Sequence, residues 1–149
     1  MRAVLQRVRS GQVSIDRAIV ADIGIGYVIL LGITHGDDQA AARKLAEKIV
    51  HLRIIEDDRG KMNRSALDAG AEMLIVSQFT LFADAKKGRR PGFTRAAAPE
   101  IAEPLVDYFV QYLTELGIKK TETGVFGARM LVRLENDGPV TIILDTDEL

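Results

Sequence analysis

The 149-residue sequence predicts an α+β fold: a curved, largely antiparallel, barrel-like sheet with two main helices packed outside it. Short apolar runs rich in branched side chains recur along the chain, as strands require. Only two segments, starting near Asp38 and Pro99, carry apolar residues at helical spacing. Most strand-like runs are joined by brief turn-forming stretches, so hairpins are expected to outnumber crossovers.

The elements follow in order. Residues 2–9 and 12–16 read as a strand bending near Ser10-Gly11, with Ala3, Leu5 and Arg7 on one face and Val4, Gln6 and Val8 on the other. Ile19–Ile23 and Tyr27–Ile33 are expected to form a hairpin around Gly24-Ile25-Gly26. Asp37 or Asp38 caps a helix running to about Leu52, with Leu45, Ile49 and Leu52 on one face. Arg53–Glu56 is a short strand, and Asp57-Asp58-Arg59-Gly60 a turn. Met73–Val76 is a core strand. Pro99-Glu100 opens the second helix, whose stripe is Leu105, Phe109, Tyr112, Leu113 and Leu116, and Gly117 stops it. Met130–Leu134 and Val140–Leu144 close the sheet around Asn136-Asp137-Gly138-Pro139, a hairpin signal because Asn, Asp and Gly tolerate positive φ. No repeat or linker interrupts residues 1–149, so one domain is expected.

Composition narrows the chemistry. The longest apolar stretch, Ile23–Thr34, has 12 residues and three glycines, too few for a membrane span of about 20. Met1–Arg7 lacks the apolar core of a signal peptide, and the chain has no cysteine, which is compatible with a cytoplasmic protein. The two histidines have no metal-ligand spacing, so neither a metal nor any other cofactor is expected. The net charge of −1 gives no global attraction to nucleic acid. Locally, however, Lys86, Lys87, Arg89, Arg90 and Arg95 place five cations and no acid within ten residues. That run reads either as a solvated loop or as a phosphate-binding segment.

Two motifs are candidates for chemistry. Ser77-Gln78-Phe79-Thr80-Leu81-Phe82 sets hydroxyls and a carboxamide at the end of a buried strand. Such groups either bond neighbouring backbone or are completed by a ligand. No nucleophile elbow or P-loop is present, and neither Ser77 nor Thr80 has an evident base. A site without a side-chain base suits an activated ester, which needs positioning and N–H groups aimed at an oxyanion; the segment 78–80 could supply them. The second motif is Gly138-Pro139. It is either an ordinary trans turn or, if cis, a rigid pair of carbonyls suited to an ammonium group.

Met1–Val8, Leu30–His35, Gly60–Asn63, Ser77–Leu81, Lys87–Pro91 and Asn136–Thr141 together resemble the D-aminoacyl-tRNA deacylase family, from the first residue to about Thr146. The resemblance implies a homodimer with active sites at the interface, and hydrolysis of the ester joining a D-amino acid, or glycine, to tRNA. It implies that Ser77, Gln78, Phe79 and Thr80 line the pocket for the terminal adenosine and the ester, with the Phe79 and Thr80 N–H groups as oxyanion donors. It further implies that Gly138 and Pro139, held by Arg7, enter the partner's pocket and reject L-amino acids, and that the tRNA's 2′-hydroxyl assists in place of a protein base. Met130 would line the pocket, while Lys86, Lys87, Arg89 and Arg90 would meet tRNA. Gly92, Arg95 and Arg129 depart from the family's usual serine and acidic residues and bear on tRNA preference. Two rival expectations remain: an editor of small L-amino acids on mischarged tRNA, and a non-catalytic RNA-binding module.

Overall fold

The computed structural model describes every residue from Met1 to Leu149. The first strand, β1 (Arg2–Ile15), is the spine. It reverses through Asp16 and Arg17, both at positive φ (47° and 70°), into β2 (Ala18–Ile23). β2 pairs antiparallel with residues 11–15 of β1, and β3 (Gly26–Gly32) with residues 2–8. The hairpin expected between Ile19–Ile23 and Tyr27–Ile33 is therefore not formed. The two strands run end to end along one edge of β1 and never pair. The glycines at 24 and 26 break the strand without reversing it, and the start of a later strand fills the gap: Glu72 takes a hydrogen bond from the Gly24 N–H and gives its own N–H to the Ile25 carbonyl. The true reversal uses two non-glycine residues, which explains why it escaped a reading keyed to glycine.

Asp38 caps α1 (Gln39–His51), its carboxylate accepting from the Ala41 N–H. β4 (Ile55–Glu56) and β5 (Met62–Arg64) form a small separate hairpin across the Asp57–Gly60 turn. Ser65 caps the single turn α2 (Ala66–Ala69), an element with no sequence expectation. β6 (Glu72–Ser77) lies parallel to β3 and ends in a 3-10 turn, Phe79–Phe82. α3 (Pro99–Glu115) follows, then β7 (Thr121–Thr123), parallel to β6.

The chain closes with β8 (Leu131–Asp145), a continuous 15-residue strand antiparallel to β1 along its other edge. This is the second correction, since Met130–Leu134 and Val140–Leu144 do not face each other across a hairpin. Both halves pair with β1, which leaves residues 137–140 as an excursion from one strand. Between the pairs Gln6–Thr141 and Val8–Asn136, Arg7 alone faces four residues. The main sheet thus has three antiparallel pairings and two parallel ones, and it curls toward closure.

Two apolar layers flank the sheet. The larger packs Ala3, Leu5, Tyr27, Ile29 and Leu31 against Leu45 and Ile49 of α1 and Phe109 and Leu113 of α3. The smaller lies inside the curl and joins Val8, Val13, Ile23, Val28, Leu74 and Val76. The alternation Ala3/Leu5/Arg7 inward holds, Arg7 included, because that residue is only 6% exposed. On the face that no helix covers, Leu30, Val4 and Ile143 form one cross-strand row, and Ile143 is 68% exposed.

Candidate active site

β6 delivers Ser77 to the floor of a cavity of about 530 Å³. Gly32 lets the turn after β6 fold back over β3: a Cβ there would lie 3.1 Å from both the Gln78 carbonyl and the Leu81 Cβ. Ser77, Gln78, Phe79 and Met130 all line this cavity. Its other walls are Ala102 and Val106 of α3, Phe93, and Phe126 through Ala128. Phe93 meets Phe79 edge to face, with ring centroids 5.0 Å apart. Sequence reasoning passed over Phe93, Phe126 and Ala128. Phe93 was the legible one, a large apolar residue set among cations.

Phe79 and Thr80 begin the 3-10 turn, and no side chain caps it. Their N–H groups have no acceptor within the turn. Phe79 lines the cavity, whereas Thr80, expected to line it too, is exposed at its edge and is not part of the lining, because the 3-10 turn carries the chain away from β6 after Phe79. Thr80 Oγ1 accepts a hydrogen bond from the Gln78 side-chain amide. No carboxylate or imidazole bonds to Ser77 or Thr80. His35 meets the Thr94 carbonyl through Nε2 (2.8 Å), and His51 meets the Glu47 carbonyl (2.8 Å). The site therefore offers donors and shape, with no side chain placed to take a proton from a hydroxyl.

Gly138 and Pro139, joined by a cis bond, are exposed and take no part in lining this cavity. Asn136 closes the base of their excursion, accepting from the Val140 N–H (2.7 Å) and donating to the Val140 carbonyl (3.2 Å). Arg7 braces it from the core side, its Nε donating to the Asp137 carbonyl at 2.9 Å. The residues of the resemblance thus fall into two groups. Ser77 is level with Leu31, and Leu31 with Ala3, whereas the excursion is level with Arg7. Along the sheet the groups are four residues and three strands apart, about 13 Å by about 14 Å at standard spacings.

Lys86, Lys87, Arg89 and Arg90 sit on an exposed loop whose base is clasped by Asp84 and Gly92 through two main-chain hydrogen bonds of 2.7 and 2.8 Å. None of them, nor Arg95, is in an ion pair. Arg95 lies over the Phe82 ring at 5.8 Å, with Arg2 at 5.0 Å from the same ring, and Arg129 is exposed beside the cavity wall.

A family profile described as D-Tyr-tRNA(Tyr) deacylase matches residues 4–145. The chain belongs to that family. Proteins named D-aminoacyl-tRNA deacylase from Thermomicrobium roseum and Thermus aquaticus are 58% and 55% identical to it. The first alignment covers all of this chain and 96% of the relative, the second 99% and 97%. A solved structure titled c-Myc DNA Unwinding Element Binding Protein superposes with a TM-score of 0.92 at 39% identity, over 97% of this chain and 98% of that one. A second, described as a probable eukaryotic D-amino acid tRNA deacylase, shares the fold at a TM-score of 0.80 and 20% identity, covering 96% and 97%. Membership makes the chain an enzyme, an ester hydrolase acting on D-aminoacyl-tRNA in proofreading. No helix is long and apolar enough to cross a membrane.

Proposed function

We propose that this enzyme cleaves the ester between a D-amino acid, or glycine, and the terminal ribose of tRNA, working as a cytoplasmic homodimer that reads chirality with main-chain groups. The observation that carries the reading is the uncapped pair of N–H groups at Phe79 and Thr80, beside a cavity without a side-chain base. Water adds to the ester carbonyl, and the resulting oxyanion takes hydrogen bonds from these two N–H groups. Collapse breaks the bond to the ribose 3′-oxygen, releasing the free amino acid. The adjacent 2′-hydroxyl passes the water's proton to that oxygen. Thr80, engaged by Gln78, positions the substrate and does not attack it.

Gly138 and Pro139 supply carbonyls for the substrate's α-ammonium group, and an L-side chain would be driven into that backbone. An editor that accepts many side chains must read the α-carbon they share, and a mismatch there discriminates more strongly than the about 1–3 kcal/mol of a missing methylene. The separation of the two groups within one protomer favours completion of each cavity by the partner's excursion. The Val4–Leu30–Ile143 row, half-buried at Val4 and Leu30 and exposed at Ile143, is an apolar strip suited to such a partner. Lys86, Lys87, Arg89 and Arg90 reach tRNA phosphates near the cavity mouth.

Incubation with D-Tyr-tRNA, L-Tyr-tRNA and Gly-tRNA tests this. Release from the D- and glycyl esters, but not from the L-ester, is expected, with a 2′-deoxy terminal adenosine inert. Release from the L-ester at a comparable rate would overturn the chirality assignment, and full activity on the 2′-deoxy substrate would overturn the RNA-assisted step.

A further inference from the structure

The excursion carrying Gly138 and Pro139 has no strand partner, so side chains set its position. Arg7 is the brace from within. A Cβ at Gly138 would stand 3.2 Å from Arg7 Nη2, so the guanidinium rests against the Gly138 backbone itself. The Arg7 side chain is only 7% exposed, and a cation so deprived of water needs fixed acceptors around it. Nε serves Asp137. The other two anchors both come from one short segment: Nη1 donates to the Ile54 carbonyl at 2.8 Å, and Nη2 to Glu56 Oε1 at 3.2 Å.

No other negative charge reaches this guanidinium. The Asp137 carboxylate is turned to Arg9, 3.4 Å away. Tyr27 lies directly opposite Arg7 in the ladder, with its hydroxyl buried and without a hydrogen-bond partner. Burial pushes the Tyr27 phenol well above its usual range, so it stays neutral and offers no counter-charge. Glu56 is the only carboxylate within ion-pair distance of Arg7. It stands on the β4–β5 hairpin, which contributes nothing to the cavity.

We propose that Glu56 is a positioning residue for stereochemical selection, acting through Arg7 on the Asp137-Gly138-Pro139 backbone. The inference rests on the reading that this dipeptide rejects L-esters. Without the carboxylate the guanidinium keeps its charge and loses its outermost anchor. It can then tilt away from Gly138, and the Asp137 carbonyl loses its fixed donor. Rejection of an L-side chain depends on the backbone standing still, whereas the Phe79 and Thr80 N–H groups belong to a different part of the sheet. Loss of Glu56 therefore admits the L-ester, while the D-ester, whose α-ammonium group uses the same carbonyls, loses some binding (a higher KM) and keeps its kcat. Because Glu56 is 56% exposed, its effect is smaller than that of Arg7.

The test compares E56A, E56Q and E56D in the full-length protein, reading kcat/KM on D-Tyr-tRNA and L-Tyr-tRNA together with thermal stability. E56A is expected to lower the D-to-L ratio about two- to fivefold, the weight of a half-exposed ion pair, with kcat for the D-ester held. E56Q, which keeps an acceptor, should lie between E56A and the parent, and E56D should recover part of the ratio. G138A serves as the control for the underlying reading. If G138A shifts the ratio and E56A does not, Glu56 is merely structural and the proposal fails alone. If neither shifts it, the dipeptide does not read chirality and both readings fall. A lower melting temperature with an unchanged ratio also overturns the proposal, and E56Q supplies the answer should E56A not fold.

Discussion

The strand end at Ser77–Thr80 and the excursion at Asp137–Val140 both present main chain to solvent, yet they are held in place by opposite means. The first is fixed by apolar packing. β6 is buried between the two core layers, and Phe82, 2% exposed, nails down the turn that follows it. The second is fixed by polar side chains, with Asn136 spanning its base, Arg7 against its inner side, and Arg9 on Asp137. The difference suits the two tasks proposed above. Oxyanion donors need a rigid backbone, and the packing beneath them provides it. A dipeptide that is to enter another subunit must stand clear of its own core, where only directed hydrogen bonds can hold it.

The contrast yields predictions of decreasing size. Arg7→Ala should cost the most, leaving the Ile54 and Asp137 carbonyls unpaired at about 1–3 kcal/mol each. Urea unfolding measures the loss, and an unaltered midpoint would remove Arg7 as the brace. Gly138→Ala acts on the excursion alone. Its φ of 137° and a Cβ 2.7 Å from Val140 Cγ2 strain any side chain. About 1–3 kcal/mol of such strain should lower kcat/KM on D-Tyr-tRNA by about 10–100-fold, with global stability changed far less than for Arg7→Ala. Replacing Lys86, Lys87, Arg89 and Arg90 with alanine should weaken binding without altering the D-to-L ratio. The slope of log KM against log salt should become shallower by about 0.7–0.9 per lost phosphate contact, and an unchanged slope would take the loop out of tRNA contact. Asn136→Ala removes the clasp and should cost about 1 kcal/mol per bond lost, with faster amide exchange at Val140 as its signature. Thr80→Ala should be mildest, because nothing accepts the Thr80 proton; a fall of about 10²-fold or more would instead mark it as a participant in the chemistry.

The sequence disclosed the packed region better than the polar one. Met73–Val76 announced a core strand because four apolar residues have one physical destiny. Asp38, Pro99 and Gly117 marked helix ends through local chemistry that needs no distant partner. Glycine and asparagine misled twice. Gly24–Gly26 and Asn136–Gly138 signal reversals, but the first lies between two strands that run end to end along β1 and the second within the single strand β8, and pairing with β1 dictates the course of both. A turn signal says that the backbone can deviate there, not that it must reverse. Phe93 was missed since its edge-to-face contact with Phe79 arises from a loop returning across some fourteen residues of chain. Glu56 carried no local mark at all.

By itself the sequence determined the fold class, the helix ends, the inward face of β1 and the family, because each follows from side-chain chemistry read over neighbouring residues or over motifs spread along the whole chain. Only the tertiary structure decided that β1 is flanked by β8 on one edge and by β2 and β3 on the other. It alone showed Gly138 resting on a buried guanidinium and that guanidinium on Glu56. Those facts join residues far apart in the chain, and long-range pairing is settled by which ladder buries the most surface, a competition that no local window contains.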